Sequence, residues 1–111
     1  IAGAMAGVCE ALTYAKEAGL DLNKMLDSIA TGAAGSWQLS NMAPRMLKGD
    51  FAPGFFVKHY IKDMSIAREQ CDAMELNLGV LEQVYSMYSE LEQKGMEDLG
   101  TQALIKYYTD L

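Results

Sequence analysis

The sequence predicts an all-α fold for a single domain. Half of its 111 residues are apolar, which suffices for one sizeable core. These apolar residues recur every three or four positions along most of the chain, the spacing of helices that bury one face. No segment shows the strict alternation of apolar and polar residues that indicates a half-buried strand. We therefore expect helices throughout and no sheet.

The first two helices carry clear boundary signals. Helical spacing of apolar residues predicts a first helix from about Ile1 to Ala18, which Gly19 ends. Asp21 is a suitable N-cap for a second helix, which we expect to stop near Thr31-Gly32. Four side chains of this second helix are expected to face the core: Leu22, Met25, Leu26 and Ile29.

The middle of the chain predicts short elements. Ser36 is expected to cap a third segment that reaches Met42. Pro44 would cost about 3 kcal/mol in a helix interior. We therefore place it either in the first turn of a separate short helix, 44–48, or at a kink. The residues 49–54 are predicted to form a loop.

Three further helices complete the chain. They are predicted over 56–76, 80–94 and 101–109, because apolar residues keep helical spacing in each. The apolar positions are Val57, Tyr60, Ile61, Met64, Ala67, Cys71 and Met74, then Leu81, Val84, Tyr88 and Leu91, and finally Leu104, Ile105 and Tyr108.

Composition argues against several classes of function. The net charge is −6 at pH 7 and no basic cluster is present, so a nucleic-acid partner is disfavoured. No run approaches the ~20 apolar residues of a membrane span, and no signal peptide is visible. Cys9 and Cys71 lie within apolar helical patterns, as reduced core cysteines of a cytoplasmic protein do. With the lone His59 they are too few for a metal site.

The beginning of the chain predicts a longer helix. No Ser, Thr, Asp or Asn precedes the apolar run to cap it, so we expect the chain to start inside a helix of a longer protein. Small residues there allow another element to approach closely: Ala2, Gly3, Ala6 and Gly7. Apolar surface is expected from Ile1, Met5, Val8 and Leu12. We therefore expect a homo-oligomer, at least a dimer, through this helix.

A polar stripe runs along the helix predicted over 56–76. Spacings of four and three place its members on one face: Lys58, Lys62, Ser65, Glu69 and Asp72. Such a stripe is typical of a solvent-exposed face. However, Lys62 and Glu69 lie roughly 10 Å apart along the axis, too far for an ordinary helix ion pair. A ligand held at both ends stays open as the alternative.

Two aromatic residues flank the proline-containing middle of the chain. Trp37 is the only tryptophan and follows a glycine-rich turn, whereas Phe55 follows Pro53-Gly54. Each is open to two interpretations, an anchor in the core or a wall of a ligand pocket.

Short motifs succeed one another along nearly the whole chain. They are Glu10-Ala11-Leu12, Ala18-Gly19-Leu20-Asp21, Ser36-Trp37, Asp50-Phe51, Pro53-Gly54-Phe55, Lys62-Asp63-Met64 and Ala67. In order and spacing they resemble the C-terminal domain of the β-hydroxyacid dehydrogenases, the family of 3-hydroxyisobutyrate dehydrogenase and 2-hydroxy-3-oxopropionate reductase. In that family a Rossmann domain comes first. The resemblance therefore implies that 1–111 is the C-terminal all-α substrate and dimerisation domain, without the N-terminal Rossmann domain.

The resemblance also implies site residues. The family's catalytic lysine would fall a few residues before Ile1, so no catalytic residue is expected within the chain. Lys62 corresponds to the family's cofactor-contacting lysine. Glu69 corresponds to an acidic residue of the substrate site that is Asp in many relatives. Trp37 and Phe55 correspond to positions near the substrate pocket.

The implied reaction is hydride transfer between NAD or NADP and a small 3-hydroxy acid such as 3-hydroxyisobutyrate, in a cleft between two domains. The upstream lysine would transfer the proton. The alternative is a non-catalytic, all-α protein-interaction module. A Gly-rich run and a lysine–asparagine turn encoded upstream of Ile1 would favour the dehydrogenase, and a start codon directly before Ile1 would favour the module.

Overall fold

The computed structural model describes residues 1–111 and contains helices but no strand. The elements are α1 (Ala2–Glu17), α2 (Leu22–Ile29), α3 (Trp37–Asn41), α4 (Ala43–Lys48), α5 (Val57–Ala73), α6 (Gly79–Gln93), a 3-10 turn (Thr101–Leu104) and α7 (Ile105–Tyr108). A single isolated antiparallel bridge joins Phe56 to Gly100. The all-α prediction is confirmed. No helix has the length and apolar character needed to cross a bilayer.

The predicted caps form. The Asp21 carboxylate accepts a hydrogen bond from the backbone N–H of Lys24 at 3.1 Å, and the Ser36 hydroxyl accepts one from the N–H of Leu39 at 2.9 Å. Each bond satisfies a donor that the first turn of a helix leaves unpaired. Pro44 is the second residue of the short helix α4, where its missing N–H costs no helical hydrogen bond. The Ser36 cap fixes the start of α3, and it therefore also fixes the position of Trp37.

The end of α5 was predicted wrongly. The pattern extended this helix to Leu76, but it ends at Ala73. Glu75 takes a positive φ of 54°, and the N–H of Leu76 donates to the carbonyl of Cys71 at 2.8 Å. Both features are typical of a helix that closes in a left-handed turn. As a result, Met74 points away from the core and is 63% exposed.

Helix α1 is the central element of the fold. It packs against α2, α3, α4, α6, α7 and the 3-10 turn. Met5, Val8 and Leu12 are 2%, 6% and 0% exposed, so the expectation that they add apolar surface for a partner is wrong. Of the four residues named for that role, only Ile1 remains exposed, at 83%.

The two cysteines are buried and unpaired, as predicted. Cys9 lies on the buried face of α1, and its burial, with a smaller contribution from Glu10, raises the pKa of its thiol to about 12. Because the thiolate is the reactive form, this residue is an inert part of the packing.

The 3-10 turn fastens the 50–56 loop to the core. The Gln102 side-chain amide donates to the carbonyls of Asp50 and Ala52 at 3.0 Å each. The N–H of Thr101 donates to the carbonyl of Phe55 at 3.0 Å, and the buried Tyr88 hydroxyl donates to the carbonyl of Thr101 at 2.8 Å. These bonds hold the loop that carries Phe55 in one place.

Candidate functional site

A cavity of about 750 Å³ opens between the start of α1, α3, α4, the 50–56 loop, α5 and the 3-10 turn. Its residues are Ile1, Met5, Trp37, Gln38, Met42, Arg45, Gly54, Phe55, Tyr60, Asp63, Thr101 and Gln102. The volume lies within the range of small-molecule sites, which commonly join apolar walls to a few polar groups. This cavity is therefore the candidate functional site.

The structure brings Trp37 and Phe55 to the same cavity, although they are 18 positions apart in the sequence. Trp37 is the first residue of α3 and is 63% exposed, and Phe55 is 45% exposed. These fractions are too large for core anchors. The Phe55 ring packs edge-on against Tyr60, with 5.8 Å between centroids. Both aromatic residues therefore form an accessible wall of the cavity.

Tyr60 and Asp63 enter the cavity from α5. The Tyr60 hydroxyl is buried and has no hydrogen-bond partner within the chain, while its ring packs edge-on against Tyr88, with 5.2 Å between centroids. Burial, and to a smaller extent the Asp63 carboxylate, raise the pKa of Tyr60 to about 12. Tyr60 therefore keeps its proton at neutral pH and is a hydrogen-bond donor there rather than a base.

The remaining polar residues of the wall were missed by sequence reasoning. Gln38, Arg45, Thr101 and Gln102 lie on short elements, α3, α4 and the 3-10 turn. Elements of four to six residues show too little periodicity to reveal which side chain faces which way. The one available signal for Gln102 was its position directly before the apolar run at 103–105.

Lys62 and Glu69 do not line this cavity. Both are exposed on α5, on the face that carries the predicted polar stripe. The stripe is not uniform, because Lys58 forms a salt bridge with Asp98 at 2.6 Å. Lys62 forms no salt bridge and no side-chain hydrogen bond within the chain. Lys62 directly precedes Asp63, which lines the cavity. The two residues therefore lie on adjacent faces of α5.

The family of the chain follows from a comparison with known families. Residues 1–108 match the family described as NAD-binding of NADP-dependent 3-hydroxyisobutyrate dehydrogenase. The chain belongs to this family. The resemblance inferred from the short motifs is thereby confirmed, and the family implies NAD or NADP as the cofactor.

Relatives of this chain are likewise named as oxidoreductases or dehydrogenases. It is 51% identical over 108 residues to an uncharacterised oxidoreductase of Bacillus subtilis, covering 97% of this chain and 38% of the relative. It is 47% identical over 105 residues to a probable mitochondrial 3-hydroxyisobutyrate dehydrogenase-like protein of Arabidopsis thaliana, covering 95% of this chain and 31% of the relative. The chain therefore spans about 31–38% of the length of these relatives.

A solved structure shares the fold of the dehydrogenase-family chain. The crystal structure of a 3-hydroxyisobutyrate dehydrogenase from Salmonella typhimurium superposes with a TM-score of 0.87 at 26% identity, covering 95% of this chain and 37% of that one. The matched part of the Salmonella protein is thus about one third of a longer polypeptide.

The residues present fit one side of a dinucleotide site. The Lys62 ammonium is exposed and unpaired, so its donors are available to the amide or phosphate oxygens of a cofactor. The Gly-rich loop that cradles a pyrophosphate in a Rossmann domain does not occur in the sequence. Within this chain Lys62 is the residue that would contact the cofactor from one side.

Proposed function

We propose that this chain is the C-terminal domain of an NAD(P)-dependent dehydrogenase for a small 3-hydroxy acid similar to 3-hydroxyisobutyrate. In this proposal a Rossmann domain and the catalytic lysine precede Ile1. The observation that carries the proposal is the 750 Å³ cavity, where two exposed aromatic side chains stand beside several polar groups. Family membership supplies the reaction class.

The residues of this chain bind and enclose the substrate. Trp37 and Phe55 contact its apolar carbons and exclude water from the cleft. Tyr60 stays protonated and donates a hydrogen bond. The chain itself contributes no general acid or base, a role that the proposal assigns to the upstream lysine. When bound, the nicotinamide supplies the hydride chemistry.

Lys62 and Glu69 face the dinucleotide-binding domain in this proposal. Lys62 contacts the cofactor, because it is an unpaired cation on the surface next to the cavity. Glu69 lies two turns further along the same face of α5, and we assign it to the substrate side of the closed cleft. The interface with the dinucleotide-binding domain would thus bury the polar stripe, which is exposed in the isolated chain.

Activity is the first test of the proposed function. The complete polypeptide that contains this chain should oxidise 3-hydroxyisobutyrate or a similar acid such as glycerate with NAD or NADP. The 111-residue chain alone should not, because it lacks the lysine and the Gly-rich loop. Absorbance of the reduced nicotinamide measures both. Turnover by the short chain, or none by the complete polypeptide with any small hydroxy acid, would contradict the proposal.

We also propose that the complete polypeptide is a cytoplasmic homo-oligomer. Unpaired cysteines suit a reducing compartment. Large apolar side chains remain exposed where α5 meets α6: Met74 at 63%, Leu76 at 47%, Leu78 at 45% and Val80 at 68%. Covering them is favourable, and a stable interface would bury more than about 1,000 Å². Sedimentation equilibrium at micromolar concentration should give at least twice the monomer mass, and a monomer mass throughout would contradict this.

A further inference from the structure

Most polar side chains of the candidate site have no hydrogen-bond partner in the chain. Gln38 and Thr101 line the cavity, and neither side chain forms a hydrogen bond within the chain, so their polar atoms are available at the cavity surface. The Tyr60 hydroxyl is also unpaired. Of these groups only the Tyr60 hydroxyl is fully buried, and a buried polar group is normally hydrogen-bonded because leaving it unpaired is costly. Gln102 differs because its amide is bonded to the 50–56 loop.

Arg45 is the positive charge of this cavity. It lies in the middle of α4 and is half-buried, and its Nη1 atom passes 3.7 Å from the position that a Cβ would take on Gly54. It forms neither a salt bridge nor a side-chain hydrogen bond. The other arginine of the chain, Arg68, is paired with Glu82 at 3.0 Å. Arg45 thus keeps all five donors of its guanidinium available.

Asp63 lies in the same wall but does not neutralise Arg45, since no salt bridge joins the two side chains. The wall therefore presents a cation, a carboxylate, and neutral donors and acceptors from Gln38, Tyr60 and Thr101. A guanidinium binds a carboxylate through two parallel hydrogen bonds. A carboxylate and neutral polar groups are suited to hydroxyl groups.

We propose that Arg45 binds the carboxylate of the substrate and determines the preference for acids, while Gln38, Thr101 and Asp63 receive hydroxyl groups on its carbon chain. The favoured substrate class is then a small acid with more than one hydroxyl group. This proposal rests on the proposed function, because it assumes that the cavity is the substrate side of the cleft.

The test compares an acid with its uncharged primary amide in the complete polypeptide. Arg45→Gln should raise KM for the acid by about 10- to 100-fold, the loss expected for a charge-assisted hydrogen bond. It should change kcat/KM for the amide, and KM for the dinucleotide, by less than about threefold. Arg45→Lys should recover part of the loss. Lys48→Gln is the matched control, since it removes the same charge from the exposed end of α4.

Several results would overturn the assignment of Arg45. One is an unchanged KM for the acid in Arg45→Gln. Another is an equal loss for acid and amide, which would indicate a packing role. A rise in KM for the dinucleotide alone would place a cofactor phosphate on Arg45.

Calorimetric binding of the same acid separates this proposal from the proposed function. If the complete polypeptide has no dehydrogenase activity but binds the acid through Arg45, only the proposed reaction fails. If no acid binds at all, the assignment of Arg45 fails as well. Acids with one and with two hydroxyl groups should differ in affinity in favour of the second, and the reverse order would contradict the roles of Gln38, Thr101 and Asp63.

Discussion

Gln102→Ala should lower the free energy of unfolding of the chain by about 2–4 kcal/mol. The side chain is 1% exposed and makes two hydrogen bonds of 3.0 Å to the carbonyls of Asp50 and Ala52. Each bond contributes about 1 kcal/mol net, and removal of the buried atoms leaves a cavity. Urea unfolding followed by circular dichroism measures the change.

Gln70→Ala is the control for this prediction. Gln70 is exposed on α5, so the same chemical change there should shift the free energy of unfolding by less than about 0.5 kcal/mol. Equal effects of the two substitutions would show that Gln102 does not fasten the 50–56 loop. The loop carries Phe55, so Gln102→Ala should also weaken substrate binding in the complete polypeptide.

Lys62→Ala should raise KM for the dinucleotide in the complete polypeptide by about 10- to 100-fold. In the proposed function this substitution would remove one charge-assisted hydrogen bond to the cofactor. Stability should be nearly unchanged, because Lys62 has no partner within the chain. Steady-state kinetics with the cofactor varied, together with a thermal unfolding curve, give both quantities.

Lys24→Ala serves as the control for Lys62. It removes the same exposed cation from α2, which does not line the candidate site. KM for the cofactor should then stay within about twofold of the unsubstituted enzyme. If Lys62→Ala leaves both KM and kcat unchanged, the polar stripe of α5 is only a solvent-exposed face.

The long helices were predictable because their apolar residues repeat many times. α1, α5 and α6 each span 15 residues or more, so one face is identified several times over. The caps at Asp21 and Ser36 were predictable for a different reason, since a side chain that bonds its own helix acts over three residues. No repeated pattern marks the end of α5, and the predicted helix was three residues too long there.

The arrangement of the candidate site was much less predictable. Trp37 and Phe55 were selected by resemblance, and their meeting depends on how α3 and the 50–56 loop pack against the 3-10 turn. Arg45 gives no periodic signal, because α4 has only six residues. The surface of α1 was misjudged because spacing shows which residues share a face, but not how many helices cover that face.

A crystal structure of the complete polypeptide with a dinucleotide and a small hydroxy acid tests most directly whether this cavity is the substrate wall of a dehydrogenase. We expect the acid between the nicotinamide and the cavity, in contact with Trp37 and Phe55, and the Lys62 ammonium within hydrogen-bond distance of the cofactor. An acid bound elsewhere, with Trp37 and Phe55 facing only solvent or another protein surface, would contradict the proposed function.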